Sequence, residues 1–548
     1  MQLLRVICIL VVLVTINQTC AVRVTTTLGT IIGTTLKSRL GVDFFAFRGI
    51  RYALAPVANL RFRNPKPHPA WKPQNLDATQ DGPMCPQLTE NITDLSEDCL
   101  RLNVYTRDTR VQKPVVVYLH PGGFYAGSAQ SKNVAGPEHL MDRDIVLVTL
   151  NYRLGTLGFL AAGNAAAPGN AGLKDQVEAL RWVQRYINNF GGDPNSVTLL
   201  GYSAGSFSIG LHMLSPMSSG LFHRAIMMSA SPLGQFDYEY QQKKLRDRQA
   251  KLLNCTKLTS VELVTCLKRK PMMDFVNTQK QMFDFNYNPV LNWMPVIEND
   301  YRQERFLVEH PYKTIKEGNF TKVPLIIGIT EHEFVGGAYD LLKNNTVRGW
   351  LNENFEKYAP IVLMYERDTP RSKQISTQLR ASYLGNRDLQ TTDSLGSFGK
   401  LYSDAVIGFE YHRFLSLISS VVPVYTYLFT YKGRFSHFKY QNQTFGAVHH
   451  DELLYLLRVP VMTPNFTQTD DEHVVIENLT RMWAQFAKTG NPNNSTDPVL
   501  KNLRWPLYSN DPRKPYLKID KNMQVFEGGI FTDRFGIWDQ LFPVPTIK

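Results

Sequence analysis

One stretch of sequence decides the fold of this chain, Val197-Thr198-Leu199-Leu200-Gly201-Tyr202-Ser203-Ala204-Gly205. Its first four residues predict a strand, and residues 207–214 are compatible with a helix. Between them stands Gly-x-Ser-x-Gly, a sharp turn that lifts a serine hydroxyl above the edge of a sheet. The pentapeptide alone also occurs by chance in structural turns. The strand before it and the helix after it therefore identify Ser203 as a candidate nucleophile.

Strand-like and helix-like segments alternate on both sides of this turn. Strands are predicted at 115–119, 145–151, 225–228, 323–329 and 422–430, and helices at 173–190 and in a segment ending near Gly490. Within 173–190 the apolar residues recur three or four positions apart, and Gly191-Gly192 ends the run. This alternation predicts a mostly parallel α/β sheet with helices on both faces and long insertions, one of them irregular and covering 232–311.

The first 21 residues have the layout of a secretory signal peptide. Arg5 precedes an apolar run over 6–16, and a polar end closes at Ala21. The run is too short for a transmembrane helix, which needs about 20 apolar residues. We therefore predict cleavage after Ala21, a secreted protein without stable membrane insertion, and one folded domain over 22–548.

The cysteine count agrees with export. Two of the six cysteines lie in the signal, and the other four fall into two local pairs. An even number of cysteines in an exported chain predicts disulfides. Four cysteines allow three connectivities, and the entropy of loop closure favours the two short loops. The predicted bonds are Cys85–Cys99 and Cys255–Cys266.

Asn-x-Ser/Thr triplets recur along the chain and predict N-glycosylation of an exported protein. Each acceptor is expected to be exposed, because a glycan cannot be buried in a core. The candidate acceptors are Asn91, Asn254, Asn319, Asn344, Asn442, Asn465, Asn478, Asn493 and Asn494.

Composition and charge exclude several classes of protein. With 43% hydrophobic and 20% charged residues, the chain is neither disordered nor fibrous. Its formal charge of +12 contains no long run of Lys or Arg, so no nucleic-acid partner is expected. A basic, solvated surface accounts for the charge. Nothing in the sequence indicates an oligomeric state.

A second glycine motif, His120-Pro121-Gly122-Gly123-Phe124, directly follows the predicted strand 115–119. Glycines there can present backbone N–H groups to a substrate oxygen without side-chain obstruction. With the N–H of Ala204, Gly122 and Gly123 would form an oxyanion hole of three donors. The alternative is a glycine turn without a chemical role.

These motifs together resemble the type-B carboxylesterase and cholinesterase family of α/β-hydrolases, whose members include secreted insect esterases such as juvenile hormone esterases. The resemblance covers nearly the whole mature chain and implies an α/β-hydrolase fold. It also implies hydrolysis of small-molecule carboxylic esters without a metal or organic cofactor. Besides the two glycine motifs, it rests on segments 47–53, 60–62, 97–100, 170–176 and 190–194.

The resemblance also implies an acid, which the family places downstream of the serine. In Gly328-Ile329-Thr330-Glu331-His332-Glu333 the family's catalytic glutamate lies five positions after the glycine, which selects Glu333. Glu331 is the rival. Phe334 stands where the family usually has glycine, so the loop departs from the family pattern while the carboxylate is retained.

The implied base follows a later strand. In the segment 446–455 the family's histidine lies three positions after Gly446, which selects His449 over His450. The implied mechanism has His449 take the proton of Ser203 while Glu333 holds the imidazole, and an acyl-enzyme forms.

Departures from the family narrow the expected substrate. The loop between Cys85 and Cys99 contains no tryptophan, so the cation–π capture of acetylcholine that cholinesterases use has no ring here. Tyr202 replaces the glutamine usual in juvenile hormone esterases, so that hormone is only one candidate among apolar esters. The family also contains catalytically silent adhesion proteins, and a protein that binds an apolar ester without hydrolysing it is a further alternative. The filled triad and oxyanion positions favour an enzyme.

Overall fold

Strands extend through the chain from Val22 to Phe526. The computed structural model describes residues 21–236, 238, 242–385, 387–437, 445–509 and 511–545, so residues 1–20 of the predicted signal lie outside it. The strands are β1 (Val22–Thr26), β2 (Gly29–Lys37), β3 (Asp43–Arg51), β4 (Leu76–Asp77), β5 (Arg101–Thr106), β6 (Lys113–Leu119), β7 (Val146–Leu150), β8 (Ala161–Asn164), β9 (Ala167–Pro168), β10 (Gly192–Tyr202), β11 (Arg224–Met228), β12 (Leu325–Thr330), β13 (Val424–Phe429), β14 (Tyr516–Ile519) and β15 (Gln524–Phe526).

Helices lie in most of the connections between successive strands from β7 to β14, and one helix follows β15. They are α1 (Gly155–Phe159), α2 (Ala171–Tyr186), α3 (Ala204–Leu214), α4 (Gln242–Leu252), α5 (Ser260–Lys268), α6 (Met272–Thr278), α7 (Pro311–Lys316), α8 (Val335–Lys343), α9 (Asn345–Glu353), α10 (Phe355–Val362), α11 (Pro370–Leu384), α12 (Leu395–Ser403), α13 (Phe409–Ile418), α14 (Glu472–Thr489) and α15 (Thr532–Leu541). As predicted, α14 ends at Gly490, which has a φ of 76°.

The insertion 232–311, expected to be irregular, contains α4, α5 and α6. Helix α5 begins with a capping box, in which Thr259 accepts from the N–H of Glu262 and the Glu262 side chain accepts from the N–H of Thr259. This start signal is visible in the sequence. The expectation of an irregular segment therefore holds for 283–310, which contains no helix or strand, and is wrong for the part that forms α4, α5 and α6.

The strand order is β1-β2-β3-β5-β7-β6-β10-β11-β12-β13-β14-β15, with β4 beside β2 and with β8 and β9 in a separate pair. Neighbours from β7 to β14 are parallel. Strands β1, β2, β3 and β5 pair antiparallel with their neighbours in this order, and so does β15, whereas β4 pairs parallel with β2. The predicted mostly parallel sheet is confirmed, and the sequence analysis had not predicted its antiparallel N-terminal part.

Helices cover both faces of the parallel strands. On β6, Val115 and Val117 belong to a core that includes residues of α2 and α3, whereas Val116 and Tyr118 belong to a core that includes residues of α14. Successive side chains of a strand point to opposite faces, so a strand covered on both faces is apolar at every position. This explains why the central strands appear in the sequence as continuous apolar runs.

The carboxyl ends of the parallel strands carry the predicted site. The loop with Gly122 and Gly123 follows β6, Ser203 follows β10, Glu333 follows β12, and His449 lies after β13. Because the carboxyl ends of parallel strands meet at one edge of a sheet, four segments distant in sequence converge there.

The two short disulfides are present. Cys85 bonds to Cys99 and Cys255 bonds to Cys266, closing sequence separations of 14 and 11. The first bond anchors the loop before β5, and the second ties the end of α4 to α5. Each bond therefore restrains a local loop, and neither links distant parts of the sheet.

The glycosylation acceptors differ in exposure. Asn478 lies in α14 and is only 4% exposed, so the expectation that it is an exposed acceptor is wrong. Its helix is buried along this face, and a glycan there would displace core side chains. Asn442 lies outside the described residues. Asn91, Asn254, Asn319, Asn344 and Asn465 are exposed, while Asn493 and Asn494 are half-buried.

Candidate active site

Ser203 occupies a strained turn between β10 and α3. Its φ of 53° and ψ of −121° are unusual for a residue with a side chain. A Cβ at Gly201 would collide with the backbone of Gly205, and a Cβ at Gly205 would collide with the carbonyl of Leu119. The two glycines are therefore required for the tight approach of α3 to the sheet, which places the serine at the end of β10.

Glu333 and His449 meet at this edge of the sheet. Glu333 Oε2 lies 2.6 Å from His449 Nδ1, and both residues are only 2% exposed. The N–H of Thr330 donates to Glu333 Oε1 at 2.8 Å, and the N–H of His449 donates to the Glu333 carbonyl at 2.8 Å. The carboxylate is thus fixed in place, and it favours the His449 tautomer that carries its proton on Nδ1.

The other ring nitrogen of His449 makes no hydrogen bond within the described part of the chain. Among the described residues, His449 Nε2 has no hydrogen-bond partner although it is buried. A buried polar atom without a partner costs stability, and a catalytic role is one explanation for retaining it. In its unprotonated state this atom can accept a proton from a hydroxyl.

The rival acid and base do not share this geometry. Glu331 is 40% exposed along its side chain and lies 3.7 Å from Nε2 of His332. The ring nitrogens of His450 have no hydrogen-bond partner among the described residues. Burial, and then the neighbouring His449, hold the pKa of His450 well below its ordinary value. The structure therefore brings together Glu333 and His449, the pair that the family resemblance selected.

The glycine loop after β6 presents backbone N–H groups. Gly122 has a φ of 116° and Gly123 a φ of 57°, and a Cβ on Gly122 would collide with the carbonyl of Ala126. Within the described residues, the N–H groups of Gly122, Gly123 and Ala204 donate no hydrogen bond. Three amide donors near the elbow are therefore available to a substrate oxygen.

A buried histidine supports this loop. The His120 ring stacks on Tyr152 with centroids 4.2 Å apart, and the Tyr152 hydroxyl donates to the His120 carbonyl at 2.9 Å. Burial lowers the pKa of His120 to about 4. Because the ring stays neutral at physiological pH, it acts here as a packed support and adds no charge to the site.

Two further carboxyl groups near the acid were missed by sequence reasoning. Glu452 accepts from the Tyr427 hydroxyl at 3.1 Å, and Glu410 accepts from the N–H of Ser231 at 3.0 Å. Burial raises the pKa of each well above its ordinary value, and the charge of Glu333 adds to the effect. They stay neutral at pH values that ionise an exposed glutamate. The one sequence signal for either group was the position of Glu452 in the same loop as His449.

Comparison with known proteins shows which family the chain resembles. The Carboxylesterase family matches residues 21–538. The chain is 35% identical over 502 residues to a juvenile hormone esterase of Tribolium castaneum, covering 87% of this chain and 84% of that relative. It is 32% identical over 492 residues to a carboxylic ester hydrolase of Bombus ignitus, covering 86% of each.

A solved structure is similar over almost its entire length. The crystal structure of juvenile hormone esterase from Manduca sexta, with OTFP covalently attached, superimposes with a TM-score of 0.82. The match covers 95% of this chain and 99% of that chain, at 26% sequence identity. The predicted α/β-hydrolase fold is thereby confirmed. The chain belongs to the carboxylesterase family of α/β-hydrolases and is a carboxylesterase.

Proposed function

We propose that the chain is a secreted carboxylesterase that acts on apolar esters through a triad of Ser203, His449 and Glu333 and an acyl-enzyme intermediate. The observation that carries this proposal is the 2.6 Å contact between Glu333 Oε2 and His449 Nδ1. It is buried and lies beside the elbow, since the His449 ring is 5.1 Å from the ring of Tyr202, the residue before Ser203.

Acylation follows from the protonation states of these groups. A serine hydroxyl is a poor nucleophile until a neighbouring base takes its proton. His449 Nε2 takes the proton of Ser203 as Oγ bonds to the ester carbonyl carbon. The imidazolium, stabilised by Glu333, then protonates the leaving oxygen, and the alcohol departs.

Deacylation uses the same residues. His449 takes a proton from a water molecule as that water attacks the acyl-serine, and the proton returns to Ser203 as the carboxylic acid leaves. In both tetrahedral intermediates the N–H groups of Gly122, Gly123 and Ala204 bind the negative oxygen. Loss of one such donor typically costs about 3–4 kcal/mol of transition-state stabilisation.

The proposed substrates are small, apolar carboxylic esters. The proposed base contacts an aromatic ring, Phe334, at a centroid distance of 4.5 Å, so apolar surface lies beside the reacting groups. Two of the similar proteins are juvenile hormone esterases, which makes a juvenile hormone one of the esters to test.

We also propose that residues 1–21 are removed as a signal and that 22–548 folds as one hydrolase domain. The two disulfides and the five exposed Asn-x-Ser/Thr acceptors support an oxidising, exported environment. In the described part of the chain, no helix combines the length and apolarity needed to cross a membrane. N-terminal sequencing of protein secreted by insect cells is the direct check, with Val22 expected first.

Active-site titration tests the proposed function. We expect diethyl p-nitrophenyl phosphate to release one p-nitrophenol per chain, to abolish turnover of p-nitrophenyl esters, and to add a diethylphosphoryl group to the peptide that contains Ser203. A series of acyl chains from acetyl to octanoyl, measured on the same preparation, then ranks the substrates. Absence of both turnover and labelling in the folded, secreted protein would favour a catalytically silent binding or adhesion protein.

Replacement of the acid separates its role from that of its rival. For Glu333→Gln we expect kcat to fall by on the order of 10⁴-fold, because the amide cannot hold the His449 tautomer or stabilise the imidazolium. Steady-state hydrolysis of p-nitrophenyl butyrate measures the effect. Glu331→Gln is the matched control, since Glu331 is exposed in the same loop, and it should stay within about twofold of the wild type. The reverse order of effects would assign the acid to Glu331.

A further inference from the structure

The imidazole of His449 has one hydrogen-bonded edge. Glu333 holds Nδ1, but Nε2 has no partner among the described residues. A ring held at a single atom can pivot about that bond, and a displacement of about 1 Å can cost on the order of 100-fold in rate. Contacts other than hydrogen bonds must therefore fix the plane of the ring.

Besides the ring of the next residue, His450, at a centroid distance of 4.3 Å, two aromatic side chains from other strand ends flank the imidazole. The Tyr202 ring lies 5.1 Å from it, edge to face at 65°, and the Phe334 ring lies 4.5 Å from it at a tilt of 37°. Tyr202 is fully buried and Phe334 is 8% exposed.

Hydrogen bonds fix Tyr202 itself. Its hydroxyl accepts from the backbone N–H of His450 at 2.8 Å and donates to Ser229 Oγ at 3.0 Å. Tyr202 ends β10, Ser229 follows β11, and His450 lies in the loop after β13. One hydroxyl thus connects three strand ends and holds the main chain directly after the base.

Phe334 is held in place by contacts with Tyr402 and Ser403. Its N–H donates to Ser403 Oγ at 2.9 Å, and its ring packs edge to face on Tyr402, with centroids 5.8 Å apart. It is also the residue next to Glu333. Its backbone position is therefore coupled to the carboxylate that holds the opposite edge of the imidazole.

We propose that Tyr202 and Phe334 are positioning residues of His449, which clamp the imidazole between two rings so that Nε2 stays directed at Ser203. The proposal rests on the triad assigned above. As the imidazole gains a proton, a neighbouring ring face also attracts the new charge. The clamp therefore acts on the chemical step and leaves substrate binding largely unchanged.

Three variants test the clamp. Tyr202→Phe keeps the ring and removes the hydroxyl, and Phe334→Leu keeps apolar volume and removes the ring. For each we expect kcat to fall about 10-fold with KM within about twofold, because the lost interaction acts in the transition state. Phe334→Tyr restores a ring and should recover at least half of the wild-type kcat. The rate of labelling by diethyl p-nitrophenyl phosphate should fall in parallel with kcat.

Tyr365→Phe is the matched control. Its hydroxyl is also buried and makes a 2.7 Å hydrogen bond, to Ser376, away from the site. It should lose thermal stability comparably to Tyr202→Phe while keeping wild-type kcat, which separates positioning from general destabilisation.

Three results would overturn the clamp. One is wild-type kcat in both Tyr202→Phe and Phe334→Leu. Another is a raised KM with unchanged kcat, which would make these residues substrate walls. The third is a loss of kcat in Tyr365→Phe equal to that in Tyr202→Phe. If the wild type neither hydrolyses esters nor is labelled, the triad proposal fails, and the clamp proposal fails with it. If the wild type is active and the Tyr202 and Phe334 variants match it, only the clamp proposal is rejected.

Discussion

Replacement of Ser203 by alanine is expected to lower kcat by on the order of 10⁵–10⁶-fold, to the residual rate that binding and the oxyanion donors provide. Without Oγ no acyl-enzyme can form, so the pre-steady-state burst of p-nitrophenol should disappear. Steady-state and stopped-flow hydrolysis of p-nitrophenyl butyrate measure both quantities. Circular dichroism and the melting temperature should remain close to those of the wild type.

Ser206→Ala is the matched control for this variant. Ser206 lies one turn further along α3, and its hydroxyl donates to the carbonyl of Ala230 at 2.6 Å. Its removal should cost about 1 kcal/mol of stability and leave kcat near the wild-type value. Retention of more than about one hundredth of the wild-type turnover in Ser203→Ala would contradict the acyl-enzyme mechanism.

Replacement of His449 by glutamine is expected to lower kcat by a similar factor, on the order of 10⁵–10⁶. Glutamine cannot take the proton of Ser203, so both acylation and phosphorylation of the serine should become very slow. The label on the Ser203 peptide, followed by mass spectrometry over time, isolates the first step. The variant should still bind a non-reacting product acid, because the oxyanion donors are retained.

His450→Asn decides between the two neighbouring histidines. His450 has a φ of 78°, which asparagine tolerates, and its backbone N–H remains available to Tyr202. We expect this variant to keep kcat within about 10-fold of the wild type. If His450→Asn were as inactive as His449→Gln, a role for the second ring in proton transfer would have to replace the assignment to His449 alone.

Structure can be predicted from this sequence where a single segment contains the complete signal for its own conformation. The strand, turn and helix around Ser203 could be predicted because the two glycines and the apolar runs that specify them lie within the same segment. The short disulfides were predicted for the same reason, because their partners are close along the chain. Hydrophobic period alone did not predict the helices of the insertion, although the capping box that begins α5 is a local signal in the sequence.

The pairing of Glu333 with His449 was predicted only from the resemblance to the carboxylesterase family. Glu333 and His449 are 116 residues apart, and their separate segments contain rivals of the same type, Glu331 and His450. A local pattern cannot show which carboxylate faces which ring nitrogen. The Asn478 acceptor was misjudged for a related reason, since an Asn-x-Ser/Thr triplet does not reveal whether its helix face is buried.

The sequence by itself determined the parallel α/β class, the serine elbow, the glycine loop and the two local disulfides, because each depends on backbone conformation or on neighbours within a few residues. The tertiary structure alone decided the 2.6 Å contact of Glu333 with His449 and the rings of Tyr202 and Phe334 around the base. These contacts join strand ends that only sheet order brings together. Distances of that kind are set by packing of the whole domain.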